Sequence, residues 1–158
     1  MNTLVIYDSL YGNTNTIAQT IADAIPGEVK MLHVKDVNVS ELGGYDLLIV
    51  GAPTHGAKPS DAVSDLLQNI ETSALEGTKV AAFDTRLTNK WILIFGTAAP
   101  KIAKSLKNKG GTLVVEGEGF FVTGGEGPLQ EGEIKRAEAW AKEIVRLMNG
   151  YGDASTAV

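Results

Sequence analysis

The chain contains no cysteine. That absence excludes disulfides, thiolate metal sites, iron–sulfur ligation and cysteine nucleophiles, and it is compatible with a reducing compartment. No apolar run approaches the length of a membrane span, which excludes a spanning helix. The N-terminal stretch "MNTLVIYDSL" lacks a basic segment, and its apolar run is too short for a secretory signal. Charge is also modest. A formal net charge of −5 dictates no partner and argues against nucleic acid, whose phosphates require a basic surface. Aromatic residues make up only 6% of the chain, so any site built on stacked rings has few residues to draw on. The expectation is a soluble, cytoplasmic protein that binds neither membrane nor nucleic acid.

With 158 residues, 44% of them apolar and 21% charged, the chain can bury the core of one ordinary globular domain. Residues 1–150 are expected to form that domain, and "YGDASTAV" (151–158) is expected to fray. Apolar runs predict strands near 3–8, 29–34, 46–52, 78–83 and 112–122. Helical spacing of apolar residues predicts helices near 13–25, 60–70, 97–108 and 132–149. Trp140 falls on the apolar face of the last helix and is expected in the core. Between the second and third strands, "KDVNVSELGGY" is short enough for a turn or a single helical turn. Strands and helices in alternation predict an α/β fold with a parallel sheet, and "DLLIVGA" has the nearly unbroken apolarity of a strand covered on both faces. Five strands and four helices suit a doubly wound sheet, which binds ligands at the carboxyl ends of its strands. Three loops fall there: 8–14, 51–60 and 84–91.

The first loop, "SLYGNT", joins a strand to a helix, where unpaired N–H groups and the positive end of the helix dipole favour an anion. It carries hydroxyls (Ser9, Thr14), an amide (Asn13) and a glycine (Gly12), but no lysine, so it is not a nucleotide-hydrolysing P-loop. Those residue types suit a monoester phosphate. They also suit plain capping of the helix, and both readings stand at this point.

The run Ser9-Leu10-Tyr11-Gly12-Asn13-Thr14, directly after the first strand, resembles the [ST]-x-[TY]-G-N-T phosphate loop of the flavodoxin family. The order of elements agrees with that family from end to end. The resemblance implies a flavodoxin-like, three-layer α/β/α fold with strand order 2-1-3-4-5 and a non-covalent FMN whose phosphate is held by residues 9–14. It also implies that the second loop, with Ala52, Pro53, Thr54, His55 and Gly56 and a "PTHG" similar to the superfamily's P-T-x-G, lies against the flavin ring. There, a peptide carbonyl at His55 or Gly56 would turn toward flavin N5–H when the ring is half reduced. Gly56 permits such a turn because it tolerates positive φ, and His55 would sense pH beside the ring. Asp84, Thr85 and Arg86 are placed near the pyrimidine end. If Arg86 faces the ring, its charge makes the protein a milder reductant; if it faces solvent, nothing follows. His33 is expected away from this edge and without a role.

The chain also departs from the family pattern. No aromatic residue occurs in the second loop, and Ile94 stands where the family commonly has tyrosine. The third loop is about five residues longer than usual, which leaves Trp91 or Tyr11 as candidates to touch the ring. Lys101, Lys104 and Lys107, spaced by threes on a helix, form either its solvated face or a docking patch for an acidic redox partner. The segment 116–132, rich in Gly and Glu, interrupts the fifth strand as a surface bulge or a lid near the flavin. The expected function is that of an FMN-binding electron carrier shuttling electrons between redox partner proteins, as a monomer or weak homodimer. The alternatives are an FMN-dependent reductase of quinones or other small molecules and, ranked last, a flavin-free module of the same fold. No residue is assigned a catalytic or metal-binding role.

Overall fold

The β-branched and aliphatic run Leu4–Ile6 forms β1 (Asn2–Tyr7), which lies parallel to β2 (Glu28–His33) on one side and β3 (Leu47–His55) on the other. The computed structural model describes residues 1–88 and 94–156. A two-residue strand, β4 (Lys58–Pro59), folds back antiparallel on β3, and β5 (Lys79–Leu87) continues the parallel sheet beyond it. β6 (Thr112–Leu113) and β7 (Glu118–Val122) both lie alongside β5. The sheet order is β2-β1-β3-β5-β6. Setting aside the small returning strand, this is the predicted 2-1-3-4-5 order with its last strand in two pieces.

Alternation along the strands sends successive side chains to opposite faces. Leu48, Val50, Val80 and Ala82 pack on one face against α2 (Asp61–Asn69) and α3 (Ala98–Asn108). Leu47, Ile49, Ala81 and Phe83 pack on the other against α1 (Asn13–Ala24) and α4 (Glu133–Thr156). The result is the three-layer sandwich expected of a parallel sheet covered on both sides. Trp140 is buried on α4, its ring edge-on to Phe83 and Phe120 at centroid distances of 6.2 and 6.1 Å. The stretch expected to form one turn makes two 3₁₀ helices, Val34–Asp36 and Val39–Gly44. Helix α4 runs on to Thr156, past residue 149 where its apolar periodicity ends. None of the described helices is long and apolar enough to cross a membrane.

The break between β6 and β7 has a packing cause. A Cβ at Gly117 would stand 3.0 Å from Ala99, so the chain passes the first turn of α3 closely there. Beyond the break, β7 is anchored to α4. Buried Glu133 accepts a hydrogen bond from the Phe121 N–H at 2.8 Å and is paired with Arg136, whose Nη1 also reaches Glu118 at 3.0 Å. The Arg136 guanidinium, backed by the Phe121 N–H, holds the Glu133 carboxyl below its ordinary value of 4.5 in spite of burial. A carboxyl lowered by folding stabilises the native state above its unfolded value, and that contribution is lost as the pH falls through its folded value. Glu133→Gln is therefore expected to cost about 1.5–3 kcal/mol at neutral pH. It should also blunt the loss of stability below pH 4.5, which urea melts in neutral and acidic buffer would measure.

Candidate functional site

The sheet order reverses between β1 and β3, and the loops leaving these strands and β5 meet at that edge. Ligands of doubly wound sheets bind at this place. Loop 8–12 turns into α1 through Gly12, whose φ of 91° lies in the left-handed region that favours glycine. Ser9 Oγ accepts hydrogen bonds from the N–H groups of Gly12 at 3.0 Å and Asn15 at 3.3 Å. Capping is thus real, but it occupies only one side chain. Among the described residues, no acceptor meets the N–H groups of Leu10, Tyr11, Asn13 or Thr14. These four donors lie at and just before the positive end of the α1 dipole. Thr14 is buried, and its hydroxyl shares a 2.8 Å hydrogen bond with that of Thr85 on β5.

The second loop is more regular than its prolines suggest. β3 and β4 form a hairpin pairing Thr54 with Pro59 and His55 with Lys58. Its two-residue turn has positive φ at both Gly56 (54°) and Ala57 (67°), the signature of a type I′ turn. Two contacts tie this hairpin to α3. Thr54 Oγ1 accepts the Ala98 N–H at 3.0 Å, and the Lys101 ammonium donates to the carbonyls of Ala57 and Phe95. Ser60 precedes α2 as its N-cap residue, yet its hydroxyl is buried and makes no capping bond.

Third-loop residues split between the two faces of β5. Thr85 and Leu87 face α1. Asp84, on the opposite face, is fully buried, accepts the Ala99 N–H at 2.8 Å and grips Arg86 through two bonds of 2.7 and 2.8 Å. Arg86 is thus turned toward Asp84 rather than out into solvent. It reaches the site with its charge offset by Asp84, and a paired charge has a weaker reach than a lone one.

A cleft of about 190 Å³ brings Ser9, Leu10, Tyr11, Asn13 and Thr14 together with Pro53, Thr54, His55, Thr85 and Arg86. Gly12, Ala52, Gly56 and Asp84 do not line it. Trp91 and Lys90 lie outside the described residues. Three lining residues were not foreseen: Leu87, Val122 and Gly125. The last two come from the Gly/Glu-rich segment, which turns back after β7 with Val122 bridged to Leu129 and is held against α1 by a 3.2 Å bond from Asn13 Nδ2 to the Glu126 carbonyl. That segment forms a wall of the cleft. His33 also departs from expectation, because it sits at this same edge with Nε2 at 3.3 Å from Asp8 Oδ1. Of the seven exposed large apolar side chains among the described residues, Leu10, Tyr11 and Leu87 line this cleft, and Ile94 and Phe95 follow the third loop. Ile94 is 70% exposed. No cluster of acidic or histidine side chains among the described residues is placed to hold a metal ion.

A doubly wound α/β sheet with free N–H donors at its switch point and apolar loops around them defines a protein built to hold a phosphate-bearing, partly apolar ligand. Residues 5–140 match the family model described as flavodoxin, and the chain belongs to the flavodoxin family. Proteins of this family bind FMN, and FMN is the cofactor. A flavodoxin of Maridesulfovibrio salexigens is 36% identical over 87 residues, covering 51% of this chain and 60% of that relative. The chain thus aligns with less than two thirds of that protein. Flavodoxin 2 of Bacillus cereus superposes with a TM-score of 0.76 at 27% identity, over 92% of this chain and 99% of the other. Flavodoxin 1 of the same organism superposes with a TM-score of 0.75 at 23% identity, over 92% and 98%.

The site fits this cofactor at the end where the fit can be tested. Four free N–H groups and the hydroxyls of Ser9 and Thr14 match a phosphate monoester, and the exposed side chains of Leu10, Tyr11 and Leu87 offer an apolar border beyond it.

Proposed function

We propose that this protein is an electron carrier that holds FMN in the 9–14, 53–55 and 85–87 cleft and exchanges electrons with redox partner proteins in the cytoplasm. One observation carries the reading: phosphate-type donors and the exposed apolar side chains of Leu10, Tyr11 and Leu87 line a single cleft at one sheet edge. FMN supplies the redox chemistry when bound, and the protein binds, orients and shields it. The N–H groups of Leu10, Tyr11, Asn13 and Thr14 and the Thr14 hydroxyl hold the phosphate. Pro53, Thr54 and His55, fixed to α3 through Thr54, border the ring on one side, and Tyr11 and Leu87 do so on the other. Lys104 and Lys107 on the solvent face of α3 supply the positive charge for an acidic partner, steering association rather than adding much affinity. Lys101 is committed in part to the hairpin carbonyls.

The open, apolar mouth of the cleft favours a second reading, an FMN-dependent reductase of quinones or other small molecules that reach the ring directly. Titration of the apo-protein with FMN and riboflavin, followed by flavin fluorescence, tests the site. Tight FMN binding with much weaker riboflavin binding is expected. Asn13→Ala and Thr14→Val should each weaken FMN by roughly tenfold, the size of one charge-assisted hydrogen bond, and leave riboflavin nearly unchanged. Unchanged FMN affinity in both variants would reduce the loop to a helix cap. Sustained oxidation of NAD(P)H in the presence of a quinone, above the rate with free FMN, would select the reductase over the carrier.

A further inference from the structure

We propose that His33 and Asp8 act as a pair of positioning residues that brace the phosphate loop and neutralise it when FMN binds. The proposal rests on the FMN reading above. A line of polar contacts carries it: hydrogen bonds on either side of one 3.3 Å contact between the imidazole and the carboxylate. The Lys35 N–H donates to His33 Nδ1 at 3.2 Å, which makes Nδ1 the acceptor and leaves the proton of the neutral ring on Nε2. Nε2 lies 3.3 Å from Asp8 Oδ1, and the same oxygen accepts the Ser9 N–H at 2.9 Å. Ser9 Oγ in turn accepts the N–H groups of Gly12 and Asn15. The imidazole is held from its side as well, edge-on to Tyr7 at a centroid distance of 5.4 Å. A residue at the end of β2 therefore sets the entry of the loop that starts α1.

Charge gives the pair its second role. Residues 9–14 contain no lysine or arginine, and Asp8 places a carboxylate, mostly buried, at their start. A phosphate arriving there meets that negative charge, and His33 is the group within ion-pair distance of it that can become positive. Other charged or titratable groups face His33 across a cavity of about 690 Å³: Lys35 beyond its own strand, Lys58 and His55 from the hairpin, and Asp61 at the start of α2. A proton taken up by His33 shifts the balance of this cluster toward binding an anion. His55 borders both this cavity and the cleft, so its contribution is measured in His55→Gln, which removes that titration.

The test compares FMN with riboflavin, which lacks the phosphate, in three proteins: wild type, His33→Phe and His33→Gln. Phenylalanine keeps a ring against Tyr7 but loses the donor and the acceptor, whereas glutamine keeps both functions and cannot become charged. At about pH 8, where an ordinary histidine is neutral, glutamine should match wild type. His33→Phe should lose roughly tenfold in FMN affinity with riboflavin affinity retained. From about pH 8 to about pH 6 the wild-type preference for FMN over riboflavin should grow relative to His33→Gln, a comparison in which the phosphate's own titration is common to both. His55→Gln should keep that growth. A His33→Phe protein with an unchanged FMN-to-riboflavin ratio would overturn the proposal, and so would equal losses of both flavins, which mark a merely structural role. Wild-type protein that binds neither flavin would overturn the FMN reading itself.

Discussion

Arg86→Leu is expected to destabilise the protein by about 3 kcal/mol, the lower end of the cost of leaving a buried charge without its partner. Asp84 is fully buried, and Arg86 supplies two of its three hydrogen bonds; the third comes from the Ala99 N–H. The guanidinium keeps 17% of its side-chain surface exposed, which places the effect at the lower end, because water reaches one side of the pair. The double variant Asp84→Asn/Arg86→Leu removes the orphaned charge and keeps a carbonyl for Ala99. It should recover most of the loss, a coupling of about 2 kcal/mol that urea denaturation of the four proteins in the cycle would measure. The pair also bears on the site. Asp84 holds the Ala99 N–H while Thr54 holds the Ala98 N–H, so the first turn of α3 is fastened to both the second and the third loop. Arg86→Leu should therefore weaken FMN binding by loosening the hairpin.

The difference between what the sequence disclosed and what it concealed follows from the range of the interactions. The strands and helices were legible because their signals are local: the apolar run of Leu47–Val50 and the helical spacing of Ile17, Ala18 and Ile21 need only neighbouring residues to be read. Loop 9–14 was legible for the same reason, since Ser9, Gly12, Asn13 and Thr14 are consecutive or nearly so. Which of Asp84 and Thr85 sends its side chain into the cleft was not legible, because side-chain direction in a strand changes with every residue. Thr85 enters the cleft, and its neighbour is drawn to α3 by a helix N–H that lies fifteen positions along the chain. Val122 and Gly125 were missed because distant contacts bring that segment to the cleft: the pairing of Val122 with Leu87 and the bond between Asn13 and the Glu126 carbonyl, 113 positions apart. His33 was set aside because β2 and β1 become neighbours only through parallel pairing, which puts His33 beside Tyr7.

Gly51→Ala is expected to be the most disruptive change of a single small side chain in the sheet, costing about 3 kcal/mol, at the upper end of overpacking penalties. Gly51 lies in register with Tyr7 of β1 and with Phe83 of β5. A Cβ there would stand 2.0 Å from Phe83 Cζ and 2.3 Å from two further ring atoms. The far end of a ring can often swing aside, but this one is fully buried and packed edge-on against Phe120 and Trp140. Moving it disturbs β7 and α4 together, because close-packed interiors transmit strain. Phe83→Leu alone should destabilise by leaving a void. Combined with Gly51→Ala, the smaller side chain vacates the volume that the new methyl needs, so the double variant should be more stable than the sum of the two losses predicts. Urea melts of the cycle decide the matter, and additive losses would show that the ring does not set the requirement for glycine. The same position reaches the site, since the Gly51 carbonyl accepts the Asp8 N–H at 3.1 Å. A shift of β3 at residue 51 passes directly to the residue that starts the phosphate loop, and Gly51→Ala should therefore lower FMN affinity in the fraction of protein that still folds.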